Sequence, residues 1–305
     1  MINIKGLSQH IQKMITVHLM GGLGNQLFQI FAVLAYSLEH GHPYIFPYSE
    51  TLTSGVERPT YWETLFHHMK TFTTITQTRG FTNQMLAALP QWREPGFNYT
   101  KIPHILTQQN FSLYGYFQSP KYFETYKTPI LQLLKFPDIQ NTIRNQFAHY
   151  IDPSTHTISM HFRLGDYKYK QQHHPVMSKE YYNRALTHIM SKISTPNIKV
   201  LYFCEAEDND YVTSVIEYLR KSVEKSVDFI KADDTIHDWQ QLILMSCCDS
   251  HIIANSSFSW WGAYLCNSNQ TDNLVCYPST WFGPAMRSTH VVDDLFPETW
   301  TKIQA

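Results

Sequence analysis

The chain changes its hydrophobic rhythm at regular intervals, and each change predicts an element. Ile15-Thr16-Val17-His18-Leu19-Met20 is an apolar run of the kind that makes a buried strand. Gly21-Gly22-Leu23-Gly24 ends it. From Asn25 the apolar residues Leu27, Phe31, Leu34 and Leu38 recur at spacings of three and four, which predicts a helix with one buried face. Gly41 and Pro43 stop that helix, and Tyr44-Ile45-Phe46 predicts a second strand. This strand–turn–helix–strand opening begins a parallel α/β layer. Residues 51–109 mix Pro, Gly, Thr and aromatics and predict only short helices near 61–68 and 83–89. Residues 111–116 return as a strand, helices follow near 130–134 and 139–150, and Asp152-Pro153-Ser154 reads as a linker.

The second half alternates more cleanly. Strands are predicted over 157–162, 198–203, 227–230, 251–254 and 274–277, and helices over 179–193, 210–223, 234–245 and 258–265. Asp234 is placed as the N-cap of the third helix, where its carboxylate would accept from free N–H groups. Repeated strand–helix alternation favours a doubly wound parallel sheet. The reading is therefore two α/β domains, residues 1–152 and 153–305, with no internal repeat.

Composition narrows the function classes. With 305 residues, 43% hydrophobic and 16% charged, the chain is globular and long enough for two cores. A net charge of −1 without a basic stripe argues against a nucleic-acid partner. No run of ~18 apolar residues suggests a transmembrane span. Residues 1–13 lack the apolar stretch of a signal peptide, and Met14 could be an internal start, so a cytoplasmic location is expected. The five cysteines, Cys204, Cys247, Cys248, Cys266 and Cys276, form no zinc-type spacing and read as reduced, buried thiols. Asn98, Asn110, Asn255 and Asn269 stand in Asn-x-Ser/Thr triplets, which carry little weight without a secretion signal. The neighbouring pairs His67-His68 and His173-His174 point apart on any regular element and make poor metal sites. Asp208-Asn209-Asp210 has the outline of a metal-binding DxD string, a minor alternative.

Polar clusters sit where predicted strands end, and ligands bind there in open parallel sheets. Gly21–Gln26 is a glycine-rich turn into a helix; it exposes backbone N–H groups and is neither a Walker loop nor GxGxxG. Asn25 and Gln26 add two amides suited to a polyhydroxylated ligand. His161 and Arg163 alternate along a strand and share one side, and arginine can fork two bonds onto a phosphate. Arg163 could equally form a structural ion pair with Asp166. Asn255-Ser256-Ser257 opens a helix whose hydroxyls and free N–H groups suit an anion or simply cap the helix. Trp260-Trp261 reads as core.

Four blocks in order give the chain a family resemblance. They are Gly21-Gly22-Leu23-Gly24-Asn25-Gln26-Leu27-Phe28-Gln29, the run from Gly115 to Phe123, the run from His161 to Tyr167, and the run from Ile252 to Leu265. Together they resemble the α-1,2-fucosyltransferase family that uses GDP-fucose. The resemblance implies a GT-B-like fold, two Rossmann-like doubly wound domains facing a central cleft. The acceptor would lie on the N-terminal side and GDP-fucose mainly on the C-terminal side. It implies transfer of fucose with inversion to a sugar hydroxyl, typically O2 of a terminal β-galactose, with no metal or other cofactor. It puts Arg163 on the donor diphosphate, His161 near the nucleoside, and Gly22, Asn25, Glu205, Ser256, Ser257 and Phe258 along the donor site. Leu164 stands where many relatives carry a second arginine, and Cys204-Glu205-Ala206-Glu207-Asp208 departs from their Ser/Asp-rich turn. The acid that reads guanine or ribose is thus open. Asp166 is the first choice of general base, with Glu205 and Asp249 as alternatives and a base-free dissociative path beside them. Transfer to another hydroxyl, another GDP-sugar, or a non-catalytic carbohydrate-binding role are the competing functions. Residues 51–109 are expected to shape the acceptor pocket.

Overall fold

The computed structural model describes residues 13–53, 55–76, 80–223, 225–266 and 273–305. The order is β1 (Ile15–Val17), α1 (Leu23–His40), β2 (Thr51–Leu52), β3 (Arg58–Pro59), α2 (Asn83–Ala87), β4 (Gln91–Arg93), β5 (Phe111–Tyr114), α3 (Lys127–Leu133) and α4 (Phe136–Gln146). The second half adds β6 (His156–His161), α5 (Lys179–Lys192), β7 (Ile198–Phe203), α6 (Asn209–Ser222), β8 (Val227–Lys231), α7 (Asp238–Met245), β9 (Ser250–Ile252), α8 (Ser257–Tyr264), β10 (Val275–Pro278) and β11 (Thr301–Ile303).

Two parallel sheets result. The first runs β1-β5-β4, and parallel bridges Ile15↔Tyr44 and Phe46↔Thr73 extend it past β1. The expected strand at 44–46 is therefore present as single bridges, because Pro43 and Pro47 remove the N–H donors that would lengthen the ladder. The second sheet has the order β11-β10-β9-β6-β7-β8, all parallel. The chain winds one way from β6 through β7 to β8, then returns to β9 and winds the other way. That is a doubly wound sheet, and its switch point lies between β6 and β9. The α/β class and the paired parallel sheets expected from the alternation are thus observed.

The strand–helix turn is held from inside. Gln29, fully buried, bonds both N and O of Met20 at 3.0 and 3.2 Å. Gln26 bonds the carbonyls of Gly21 at 3.0 Å and Pro59 at 2.9 Å, so it ties the turn to the β2–β3 hairpin. Gln26 is buried by these bonds and is not the ligand amide that its sequence position suggested. Gly41 closes α1 in the left-handed region at φ 61°.

One apolar core runs from α1 to the end of the chain, crossing residue 152. At its centre Phe28 meets Trp260 and Phe31 meets Trp261, each at 4.5 Å between ring centroids. Trp260 and Trp261 are fully buried, so the aromatic pair is core as expected. A second core packs α5 and α6 on the sheet of β6 and β7. The five cysteines are all buried. Asp152 accepts from Ser154 N at 2.9 Å and makes the expected linker a tight turn.

The β2–β3 hairpin, β4 and β11 were hidden by polar or proline-containing sequence. The third helix of the second half starts at Asp238, and its cap is His237 paired with Gln240. Asp234 instead binds Lys231 and accepts from Asn209 at 3.0 Å, a local pairing that outcompetes capping.

Candidate active site

The carboxyl ends of both sheets' central strands open on one cleft of about 770 Å³. β1 delivers Met20 to Asn25, β5 delivers Tyr116, β6 delivers His161 and Arg163, β7 delivers Cys204 and Glu205, and the segment after β9 delivers Ser256 to Phe258. All nine residues singled out from the sequence line it: Gly22, Asn25, His161, Arg163, Asp166, Glu205, Ser256, Ser257 and Phe258.

Two helix N-termini meet at this cleft. Gly24 makes the meeting possible, since a Cβ there would lie 2.5 Å from the carbonyl carbon of Ser257 and 2.7 Å from the nitrogen of Phe258. The approach is locked by Asn25, whose Oδ1 accepts from the Ser257 hydroxyl at 2.9 Å and from Gln118 at 2.8 Å. α1 has no side-chain cap and no acidic residue in its first turn, and α8 carries no acid there either. The positive ends of both macrodipoles therefore face the cleft with no acidic residue in either first turn. Ser256 caps α8 by accepting from Phe258 N at 3.3 Å. The Ser257 hydroxyl is thus spent as a donor on Asn25, whereas Ser256 accepts and keeps its own O–H to donate.

Arg163 sits between two carboxylates. Its guanidinium binds Asp166 and Glu205 through separate nitrogens and stacks over Tyr167 at 4.7 Å. Asp166 also accepts from Lys170 at 3.1 Å. Partial burial pushes the Asp166 carboxyl up, but Lys170, Arg163 and Arg58 outweigh it and hold it below the usual carboxylate range. The structural ion pair foreseen for Arg163 and Asp166 is therefore real, and it lies in the cleft. His161 is buried, with its Nδ1 unpartnered. Burial, helped by the Arg163 charge, lowers it to about 3, so its ring is neutral near pH 7.

The glycine after Leu164 also matters. Gly165 adopts φ 39°, and a Cβ there would lie 2.7 Å from Glu205 and 2.9 Å from Arg163. Its N–H donates to buried Asp208 at 2.9 Å, and Asp208 also binds Lys168 at 2.6 Å. Asp208 is committed to holding this turn, which removes it from any DxD-type metal pair. Glu205, Glu207 and Asp208 do bring oxygens within 4.8 Å of one another, but Arg163 and Lys168 already neutralise the first and last. Asp249, an alternative base, precedes β9 at the opposite end of the sheet and accepts from Thr157 N at 2.8 Å. Of the sequons, Asn255 is buried, so it is no glycan acceptor, and Asn269 lies outside the described residues.

Sequence reasoning missed Arg58, Tyr61, Tyr167, Lys170 and His174, all of which line the cleft. Arg58 and Tyr61 come from the irregular region of residues 51–109. Tyr61 donates to Asp238 of α7 and so bridges the two halves of the chain. Lys170 had a readable signal, its i,i+4 spacing from Asp166. His174 had none beyond its place in a histidine pair.

No helix among the described residues is long and apolar enough to cross a membrane. The sequence model of glycosyl transferase family 11 matches residues 2–304. Among curated relatives, the O-antigen biosynthesis glycosyltransferase WbnK of Escherichia coli is 25% identical over 61% of this chain and 60% of its own length. The alpha-1,2-colitosyltransferase of Escherichia coli is 27% identical over 62% and 61%. A galactoside 2-alpha-L-fucosyltransferase of Caenorhabditis elegans is 22% identical over 95% of this chain and 79% of its own. The match thus spans about three fifths of the length of the first two relatives.

Proposed function

The chain belongs to glycosyl transferase family 11, and from that premise we propose that it transfers fucose from GDP-fucose to a sugar hydroxyl, O2 of a terminal β-galactose, with inversion. The observation that carries the reading is the convergence of Arg163 and the N-termini of α1 and α8 on one cleft. A diphosphate there meets a fixed guanidinium and two sets of free N–H groups. The negative charge that develops on the departing GDP strengthens these contacts, so they stabilise the transition state more than the bound donor. The names of two relatives, a colitosyl- and a fucosyltransferase, share α transfer to position 2.

The donor nucleotide rests mainly on residues 153–305, with the N-terminus of α1 at its diphosphate, and the acceptor enters from the side of residues 1–152. Without nucleotide, Arg163 is occupied by Asp166 and Glu205, whose side chains are 41% and 54% exposed. Both carboxylates can turn to solvent, so phosphate oxygens can take the guanidinium over from them. Asp166 positions Arg163 and Lys170 between turnovers. Glu205, released from Arg163, is free to meet the nucleoside. Neutral His161 contacts the nucleoside without adding charge. The paired cations and helix ends supply the neutralisation that a metal provides elsewhere, so no metal is required.

The experiment is turnover of GDP-fucose by the purified protein against a panel of methyl glycosides, with linkage analysis of the product. Inverted fucosylation at O2 of the β-galactoside is expected. GDP binding without transfer to any acceptor supports a carbohydrate-binding role instead, and transfer to a different hydroxyl corrects the linkage. Failure to bind GDP refutes the reading.

A further inference from the structure

Beside the main cleft lies a smaller cavity of about 220 Å³. It shares Asn25, Tyr116, Tyr167, His174 and Ser257 with the cleft, so the two adjoin along these residues. Its far wall is apolar and aromatic, made by Phe97, Trp281, Phe282 and Met286, with His290 at the rim. Rings connect the two spaces without a break. Tyr167, under the Arg163 guanidinium, stacks on His174 at 4.7 Å and an interplanar angle of 18°. His174 meets Phe282 at 5.8 Å, and Phe282 meets Phe97 and His290, each at 5.0 Å. The annex is too small for a nucleoside diphosphate and is of the scale of one sugar ring. Apolar ring faces with a few polar groups at the margin suit the alternating C–H and O–H surface of a pyranose.

A second observation points to a ligand. Asn255 also lines the annex and is 2% exposed. Its Nδ2 donates to the carbonyls of Pro175 at 2.9 Å and Trp281 at 3.1 Å, yet its Oδ1 has no partner. An unpartnered buried amide oxygen costs about 1–3 kcal/mol, and this one belongs to a residue of the annex wall.

Resting on the fucosyl-transfer reading above, we propose that this annex is the subsite for the acceptor pyranose and that His174, at its junction with the cleft, takes the proton of the attacking hydroxyl. The step balances without a further reactant. The acceptor O–H bond breaks and its proton goes to an imidazole nitrogen. The oxygen forms a bond to the anomeric carbon, and the bond from that carbon to the phosphate oxygen breaks with its electron pair leaving on GDP. His174 suits the role better than Asp166. Among the described residues its side chain makes ring contacts and no hydrogen bond, whereas Asp166 is held by Arg163 and Lys170. Burial lowers its pKa, opposed by Asp166 and reinforced by His173, Lys170 and Arg163, so the ring is unprotonated and able to accept at neutral pH.

The test uses saturation-transfer NMR of methyl β-galactoside, β-glucoside and β-N-acetylglucosaminide with the full chain saturated in GDP, followed by kinetics on any pyranoside that binds. At least one should bind. Met286→Trp, which fills the annex, should raise its KM at least about tenfold while GDP affinity stays within about twofold. If that variant loses GDP binding, His290→Trp at the rim carries the same expectation. His174→Gln should lower kcat about 100-fold, with GDP affinity and acceptor KM within about twofold. Binding of no pyranoside while GDP binds, or pyranoside affinity that survives a filled annex, overturns the subsite. An unchanged kcat in His174→Gln overturns the proton transfer. Failure of the unmutated chain to bind GDP is a separate result, one that refutes the underlying transferase reading.

Discussion

Replacing Gly24 with alanine tests the geometry on which the cleft depends. The new Cβ would stand 2.5 Å from the Ser257 carbonyl carbon, 2.6 Å from its oxygen and 2.7 Å from Phe258 N. All three are backbone atoms at the start of α8, so no side chain can swing away. Ordinary carbon contacts lie near ~3.5–4.0 Å, and relief requires α1 and α8 to part by about 1 Å. That stretches the 2.9 Å bond between Asn25 and Ser257 to about 3.9 Å, beyond hydrogen-bonding range. Overpacking costs about 1–3 kcal/mol and the lost bond about 1 kcal/mol. The better helix propensity of alanine returns about 1 kcal/mol at most. The net is a destabilisation of about 1–3 kcal/mol, and Tm should fall about 2–4 °C for each. GDP affinity should fall about tenfold, since the two helix ends no longer act on the same anion. Calorimetric unfolding and a GDP titration read both effects. Gly22→Ala is the control for stability, because a Cβ there meets nothing within 4 Å and its φ of −76° suits any residue. If Gly24→Ala is more stable than the parent and binds GDP equally well, the convergence of α1 and α8 is not what builds the site.

Arg163→Lys should lose about 100-fold in kcat, because an ammonium cannot fork two bonds onto the diphosphate; turnover kinetics that stay near the parent value would reassign the phosphate grip. Asp166→Asn should keep kcat within about tenfold, as expected of a residue that positions Arg163, and a loss of 100-fold or more would restore it as the base. Stability should decline as pH falls from 6.5, because His161 and His251 are buried with pKa values of about 3 and the unfolded chain binds protons that the folded chain refuses. For the two together the slope reaches about 2.7 kcal/mol per pH unit, and urea midpoints unchanged between pH 6.5 and 5 would refute it. EDTA should leave turnover unaltered, since Arg163 and Lys168 already occupy the acids that would hold a cation; loss on chelation and recovery with a divalent ion would overturn this.

The sequence by itself determined most strands and helices of the two sheets, and the strand ends at which the site forms. Residues 198–203 are a mostly apolar run that buries in a parallel sheet, residues 156–161 alternate polar and apolar positions at a strand's period of two, and the glycine and serine turns that follow β1 and β9 leave few alternatives to helix starts. Because ligands gather at carboxyl ends of parallel strands, Asn25, His161, Arg163 and Ser257 were readable as one site although up to 232 positions separate them. What the tertiary structure decided is which polar groups remain free. Gln26 and Asp208 carry ligand-like side chains, yet burial consumes them in holding turns. Arg58 and Tyr61 stand in a segment without periodicity, and tertiary bonds, from Gln26 to Pro59 and from Tyr61 to Asp238, hold that segment at the cleft. The acceptor-sized annex is still less legible. It joins Phe97 to Phe282 and His174 across long separations, and cavities are properties of packing between elements, for which no local pattern exists.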